Sequence, residues 1–266
     1  MARQSGPLKY KGNIGGIRHF KMKGLKGSFA GMAGGASAEQ IKKAPEFKRT
    51  RENMNEFAGC ASAGKSVRVG LSSLMKQMSD PQLTGRLTAI MKKINLEDQS
   101  EARGYRAILI SQQSNYLKNL VFNTGVSFDS IFTGNITITP QSNRNGVEMA
   151  AIFNAANHVH APVGATHFRL ISAIMALSDF AYNSSSKVYE PIKPSLNELN
   201  SVVYFPYTDF SSADLQMTTT NILPGSPELS TETSLIVCVG IEFYQQVGTN
   251  YYLFSSGNAL KIYSIL

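Results

Sequence analysis

The sequence predicts an α+β protein in three segments: an N-terminal Gly-rich hairpin arm over 1–35, a basic helical region over 36–105, and an antiparallel β-sandwich or jelly-roll-like domain over 106–266. Three observations lead there. Glycine crowds the first segment, apolar residues recur at three- and four-residue spacing through the second, and β-branched and aromatic words separated by Gly, Pro, Asn and Ser fill the third.

In the arm, "GIRHFKM" alternates Ile17, His19 and Lys21 against Arg18, Phe20 and Met22. The word "KGLKG" then turns the chain into "SFAGM". This is hairpin grammar. A lone hairpin has too little apolar surface to stand by itself, so it needs a sheet to dock on, in its own subunit or in a neighbour.

Helical signals follow. Ser37 precedes "AEQIKK" as a cap, and Pro45 opens a segment with Phe47, Met54 and Phe57 available for one face. Lys48 and Glu52 stand at helical spacing as a surface pair. Val67, Leu71, Leu74 and Met78 continue at spacings of four, three and four. The clearest helix starts at Asp80 and Pro81 and carries Leu83, Leu87, Ile90, Met91 and Ile94 as an apolar stripe.

Beyond about residue 105 the words become strand-like: "GNITITP", "GVEMAAIFN", "THFRLISAIMALSDF", "NSVVYFP", "DLQMTTTNIL", "TSLIVCVGIEFYQQV", "NYYLFSS" and "NALKIYSIL". In the third of these, Phe168, Leu170 and Ile174 point one way and Ile171, Met175 and Leu177 the other. A strand apolar on both faces is a central strand covered on both sides. "VGTNYY" and "SSGN" imply antiparallel neighbours.

Charge divides the chain. The net of +8 resolves into +12 over 1–106, with 20 of the 26 Lys and Arg against 8 of the 18 acids, and −4 over 107–266. A basic half faces either an acidic surface, such as the acidic half of another copy, or nucleic acid. No apolar run is long enough for a membrane span. Arg3 and Lys9 are not followed by an apolar run either, so no ordinary secretory signal is expected. Cys60 and Cys238 are too few for a disulfide scaffold, and synthesis in the cytoplasm is the expectation, with a particle or released assembly as the destination.

"GCASAGKS", residues 59–66, is spelled like a phosphate-binding P-loop. Such a loop sits between a buried parallel strand and a helix. Here "RTRENMNEFA" precedes it, charged and without β-branched residues, and no alternation of strands and helices follows. Close packing of helices through Gly59, Ala61, Ala63 and Gly64 is the expected role instead.

His158, His160 and His167 fall within eleven residues, and on a strand the first two would share a face as metal ligands do. No Cys or spaced carboxylate completes a set there, so no metal site is assigned. Asp129, Asp179, Asp209 and Glu242 lie in separate segments, Cys238 sits in an apolar word, and no Gly-x-Ser-x-Gly elbow occurs. No catalytic residue and no cofactor follow from this sequence, and an enzyme is not expected. The basic cluster Lys42, Lys43, Lys48, Arg49 and Arg51 is the candidate nucleic-acid surface, although Glu39, Glu46, Glu52 and Glu56 are mixed into it.

"KGNIGGIRHFKMKGLKGSFA" with "PEFKRTRENMNEFAGCASAGKSVR" and "LIVCVGIEFYQQVGTNYY" resembles an uncharacterised family of Bacteroidota proteins. The resemblance rests on the Gly-x-Ile-Gly hairpin and the Arg-Thr-Arg-Glu-Asn helix start, and it implies no activity.

These features lead to the expectation of a structural protein that assembles with copies of itself into a tube, filament or shell, a phage-like coat or tail component being one form. Ile17, Phe20, Phe29, Lys48, Arg49 and Arg51 are the expected contacts, with the arm adding a strand to a neighbour. The alternatives are a nucleic-acid-binding protein and a carbohydrate-binding or adhesive β-sandwich using Tyr207, Tyr251 or Tyr252.

Overall fold

The computed structural model describes residues 2–32 and 34–266. It is an α+β protein whose strand pairs, among the described residues, are antiparallel. By compactness the chain divides into two units, 1–51 and 52–266. The helices that follow residue 51 belong with the β strands because their apolar stripe packs against strand residues such as Ile171, Met175 and Ile236.

In the first unit, β1 (Ala2–Gln4), β2 (Gly12–Ile14), β3 (Ile17–Phe20) and β4 (Ser28–Met32) form a four-stranded sheet in the order β1-β4-β3-β2. The β2–β3 hairpin closes through Gly15 and Gly16, at φ 56° and 78°. Positive φ at both central residues is the type I′ turn, which matches strand twist and which glycine adopts without strain. The hairpin expected from the sequence, "GIRHFKM" turning through "KGLKG" into "SFAGM", is present as β3–β4, and β2 and β1 supply the sheet it needs. Helix α1 (Ala38–Lys43) opens on a reciprocal cap: Gln40 N–H donates to Ser37 Oγ at 3.1 Å, and Ser37 N–H to Gln40 Oε1 at 2.7 Å.

A 3-10 turn, Pro45–Phe47, leads into α2 (Lys48–Gly70), within which the division between the units falls. Helices α3 (Ser72–Met78) and α4 (Leu83–Glu97) follow, then irregular chain to α5 (Phe128–Ile131). Strands β5 (Asn135–Pro140) and β6 (Gly146–Phe153), the short α6 (Ala155–His158), and β7 (His167–Ser178) come next. The remainder is β8 (Phe180–Asn183), β9 (Val188–Pro191), β10 (Asn200–Tyr204), β11 (Thr208–Asp209), β12 (Leu215–Ile222), β13 (Thr233–Val247), β14 (Asn250–Leu253) and β15 (Ala259–Ile265).

The centre of the second unit is a six-stranded sheet in the order β10-β7-β13-β14, with β11 also on β7 and β15 on β13. Its core strands are buried on both faces. Ile171, Ala173, Met175, Leu177, Ile236 and Cys238 pack with the apolar side of α2–α4, where Leu71, Leu74, Leu87 and Met91 lie. The alternate residues, among them Phe168, Leu170, Val239 and Ile241, pack with Met149, Ala151 and Phe153 of β6. Strand β6 is the middle of a second, three-stranded sheet, β12-β6-β5. The two-faced alternation of β7 therefore reports helices on one side and strands on the other. Strands β8 and β9 form a separate hairpin.

Candidate functional site

The first unit is the most unusual surface. Residues 1–35 contain seven Lys and Arg and no acid. Counted at the structural division, 1–51 has 12 basic and 2 acidic residues, a net of +10, and 52–266 has 14 and 16, a net of −2. Register decides which side chains face which way. Ile14 pairs with Ile17 and Ile17 with Met32, so the three share one face of the small sheet. They are 55%, 42% and 83% exposed, an apolar strip on a basic unit. On the opposite face Phe20 and Phe29 are cross-strand partners, their ring centroids 6.2 Å apart, with the Arg18 guanidinium 5.4 Å from the Phe20 ring centre.

The expected contact residues thus separate. Ile17 lies in the exposed strip, whereas Phe20 and Phe29 are half-buried against each other. Ile14 and Met32 were not among the contacts singled out from the sequence; they join Ile17 through the β2–β3 register set at Gly15–Gly16 and through the β3–β4 register. Lys42, Lys48 and Arg49 are exposed. Lys43 is bound to Glu39 at 2.8 Å. Arg51 is turned inward, its Nη1 donating to the carbonyls of Ile41 and Ala44 at 2.7 and 2.8 Å, so it stabilises the end of α1. Glu52, paired in the sequence with Lys48, has Arg103 Nε 3.6 Å away.

Residues 59–66 are interior to α2. Their backbone N–H groups belong to a helix, which leaves no cradle for phosphates. Ser66 is buried and donates to Glu198 Oε1 at 2.5 Å, while Lys65 is exposed. Beside the stretch, buried Glu56 takes hydrogen bonds from Lys92 and from Gly104 N–H (2.7 Å), with Arg106 at 3.7 Å. Burial would raise this carboxyl, but the Lys92 hydrogen bond, the Gly104 amide and the two cations hold it below its usual value. Burial pushes the nearby Cys60 thiol up to about 12, and its side chain packs in the core. Cys238 is likewise buried and raised.

The four candidate carboxylates each have their own structural partners. Asp129 holds Lys261 at 2.8 Å, and Asp179 takes Ser111 N–H and Oγ at 2.8 and 2.6 Å. Asp209 takes Ser211 N–H at 2.6 Å. Glu242 Oε2 receives Arg169 Nε at 2.8 Å and the Tyr244 hydroxyl at 2.5 Å. Burial and that same carboxylate raise the Tyr244 hydroxyl. The Arg169 guanidinium also lies 3.9 Å from the Tyr204 ring centre. Next to it Tyr207 and Tyr251 stack on each other at 4.1 Å and 5°, which covers one ring face of each. Tyr252 lies on the other side of β14.

The histidines go to different tasks. His158 Nδ1 accepts from Asn154 N–H at 2.9 Å at the end of α6, His160 is exposed, and His167 lies on β7 with its ring edge-on to Tyr251. Among the described residues no three His, Cys, Asp or Glu converge as metal ligands. Nor, among them, is any helix long and apolar enough to cross a membrane. No known family profile matches the chain, and neither the curated proteins nor the solved structures contain a match to it.

Proposed function

We propose that this is a structural protein that assembles with copies of itself, using the first unit as the docking element and performing no catalysis. The observation that carries this reading is the sheet of 2–32: acid-free, strongly basic, and presenting Ile14, Ile17 and Met32 to solvent. An exposed apolar strip on a strongly basic unit fits a partner surface that buries the strip and neutralises the charge. The receiving surface in this reading lies on the second unit of the next copy, whose net of −2 does not oppose the basic sheet, and a head-to-tail contact of this kind propagates into a tube, filament or shell. In this reading β5, β6 and β12 with the central sheet make a sandwich, a coat- or tail-like subunit body. The resemblance to the Bacteroidota family brings no competing activity. Synthesis is cytoplasmic, with the assembly as the final location. Negative-stain electron microscopy and sedimentation of the full chain test it: regular particles or a concentration-dependent series of oligomers are expected, and a strict monomer at all concentrations overturns it.

A second reading, nucleic-acid binding, is favoured by the absence of any acid in 1–35. It requires affinity that falls steeply as salt rises. No retention of DNA or RNA at low salt eliminates it.

A further inference from the structure

The second unit holds a cationic groove between α2, α3 and α4. Lys65 and Arg68, three apart on α2, project from one side of the helix and line a groove of about 450 Å³. Ser72 and Met75 of α3 and Leu83 and Thr84 of α4 form its other walls. Among the described residues neither cation has an ion-pair or hydrogen-bond partner, and Arg68 Nε is buried without one. Asp80 also borders the groove, but its carboxylate is already taken by Arg86 Nη2 at 2.8 Å, Thr124 N–H at 2.9 Å and Gln82 N–H at 2.9 Å.

Two like charges left side by side repel, and a buried guanidinium nitrogen without an acceptor is costly. An anion bound between the two cations removes the repulsion. A carboxylate would neutralise one cation only. A phosphate monoester brings close to two charges and three acceptor oxygens, enough for the ammonium, the guanidinium and a hydroxyl such as Ser72 or Thr84. The apolar walls, Met75 and Leu83, suit an organic body attached to that phosphate.

We propose that this groove binds an organic phosphate monoester, the phosphate on Lys65 and Arg68 and the organic part against Met75 and Leu83. The mode differs from that of a P-loop. It uses side chains of a continuous helix, and Ser66, which would hold magnesium in a P-loop, is turned into the protein towards Glu198.

The test is a backbone amide chemical-shift titration of the full chain, at fixed low ionic strength, with phenyl phosphate, inorganic phosphate and phenol. Phenyl phosphate is expected to give saturable shifts within residues 65–84, binding at least five-fold tighter than inorganic phosphate, with phenol giving none. Lys65→Gln and Arg68→Gln should each weaken it at least ten-fold. Ser66→Ala and added magnesium should change it less than two-fold. Should Arg68→Gln lose its fold, Lys65→Gln decides alone, since Lys65 is exposed. No saturation by phenyl phosphate, equal shifts from phenol, an unaffected Lys65→Gln, or dependence on Ser66 and magnesium would each overturn the proposal.

Discussion

Gly59 lies directly beneath the ring of Tyr189: a Cβ at Gly59 would sit 2.4 Å from Tyr189 Cγ. The ring has no room to retreat. Its hydroxyl donates to the Arg106 carbonyl at 2.9 Å, and its edge meets Tyr182 at 5.6 Å. The first glycine of the P-loop-like spelling is therefore explained by packing.

Gly59→Ala is expected to destabilise the protein. Exchanging Gly for Ala in a free helix gains about 1 kcal/mol, but overpacking a filled site costs about 1–3 kcal/mol, and here the clash is with a tethered ring. Gly85 is the control, because it sits on the exposed side of α4 with nothing within 4 Å of its added Cβ. Gly85→Ala should stabilise by about 0.5–1 kcal/mol. Thermal melts of the two variants should move in opposite directions, and a Gly59→Ala protein that melts at or above the wild type refutes the packing account.

Asp80 ties the start of α4 to the chain at Thr124. The Thr124 amide foremost, then the Thr124 hydroxyl and Arg86, hold its carboxyl down at about 2 against the competing effect of burial. Because folding lowers this value from 3.8, the stabilisation is complete above about pH 5 and is lost as pH falls from there through about 2, on the order of 2 kcal/mol in all. Asp179 works the other way, since burial raises it, so the informative quantity is the difference between wild type and Asp80→Asn. The two proteins should differ in melting temperature at pH 7 and converge near pH 2. A gap that stays constant over that range contradicts the assignment.

Leu87 is fully buried on α4 and faces Gly64 of α2, whose added Cβ would lie 3.3 Å from Leu87 Cβ. Leu87→Asp puts an unpaired charge into that contact and should cost about 4 kcal/mol or more. Leu96 lies on the same helix but is half exposed. Leu96→Asp should cost less than about 0.5 kcal/mol. Equal denaturation midpoints for the two variants would show that the stripe is not the buried face.

Much of this was legible because it is local. The stripe Leu83–Leu87–Met91–Ile94 and the two-faced alternation of β7 are written at fixed spacing, and each appears with the burial expected. The Ser37 cap and the β3–β4 hairpin around "KGLKG" are local chemistry of the same kind. What was missed depends on distant partners. Nothing near Gly59 announces Tyr189, and the spelling of a loop was carried by a helix. The chain over 107–122 has little regular structure because its backbone is satisfied by local turns and by distant partners: Ile108 N–H goes to the Phe180 carbonyl, Phe122 N–H to the Leu260 carbonyl, and Ser111 N–H to Asp179. Arg51 counted as a phosphate contact by its type, yet two carbonyls of α1 occupy it.

The two faces of the small sheet make the assembly proposal separable from simple unfolding of the arm. Phe20 and Phe29 hold the sheet together from one face, and Ile14, Ile17 and Met32 are free on the other. Ile17→Asp should therefore leave the sheet intact, as judged by unchanged amide shifts at Phe20 and Phe29, and abolish higher-order species in sedimentation. Phe20→Ala should loosen the sheet itself and make it a fast target for limited proteolysis. Deleting 1–35 should leave the second unit folded, since it is a compact unit of its own, and should prevent assembly. In wild-type protein, protease should cut within 21–27, between β3 and β4, in dilute subunits and spare that loop in assembled ones, because a neighbour covers it. If the truncated chain forms the same particles, or if Ile17→Asp assembles normally with its sheet intact, the arm is an internal sheet only and the contacts between copies must lie on the second unit.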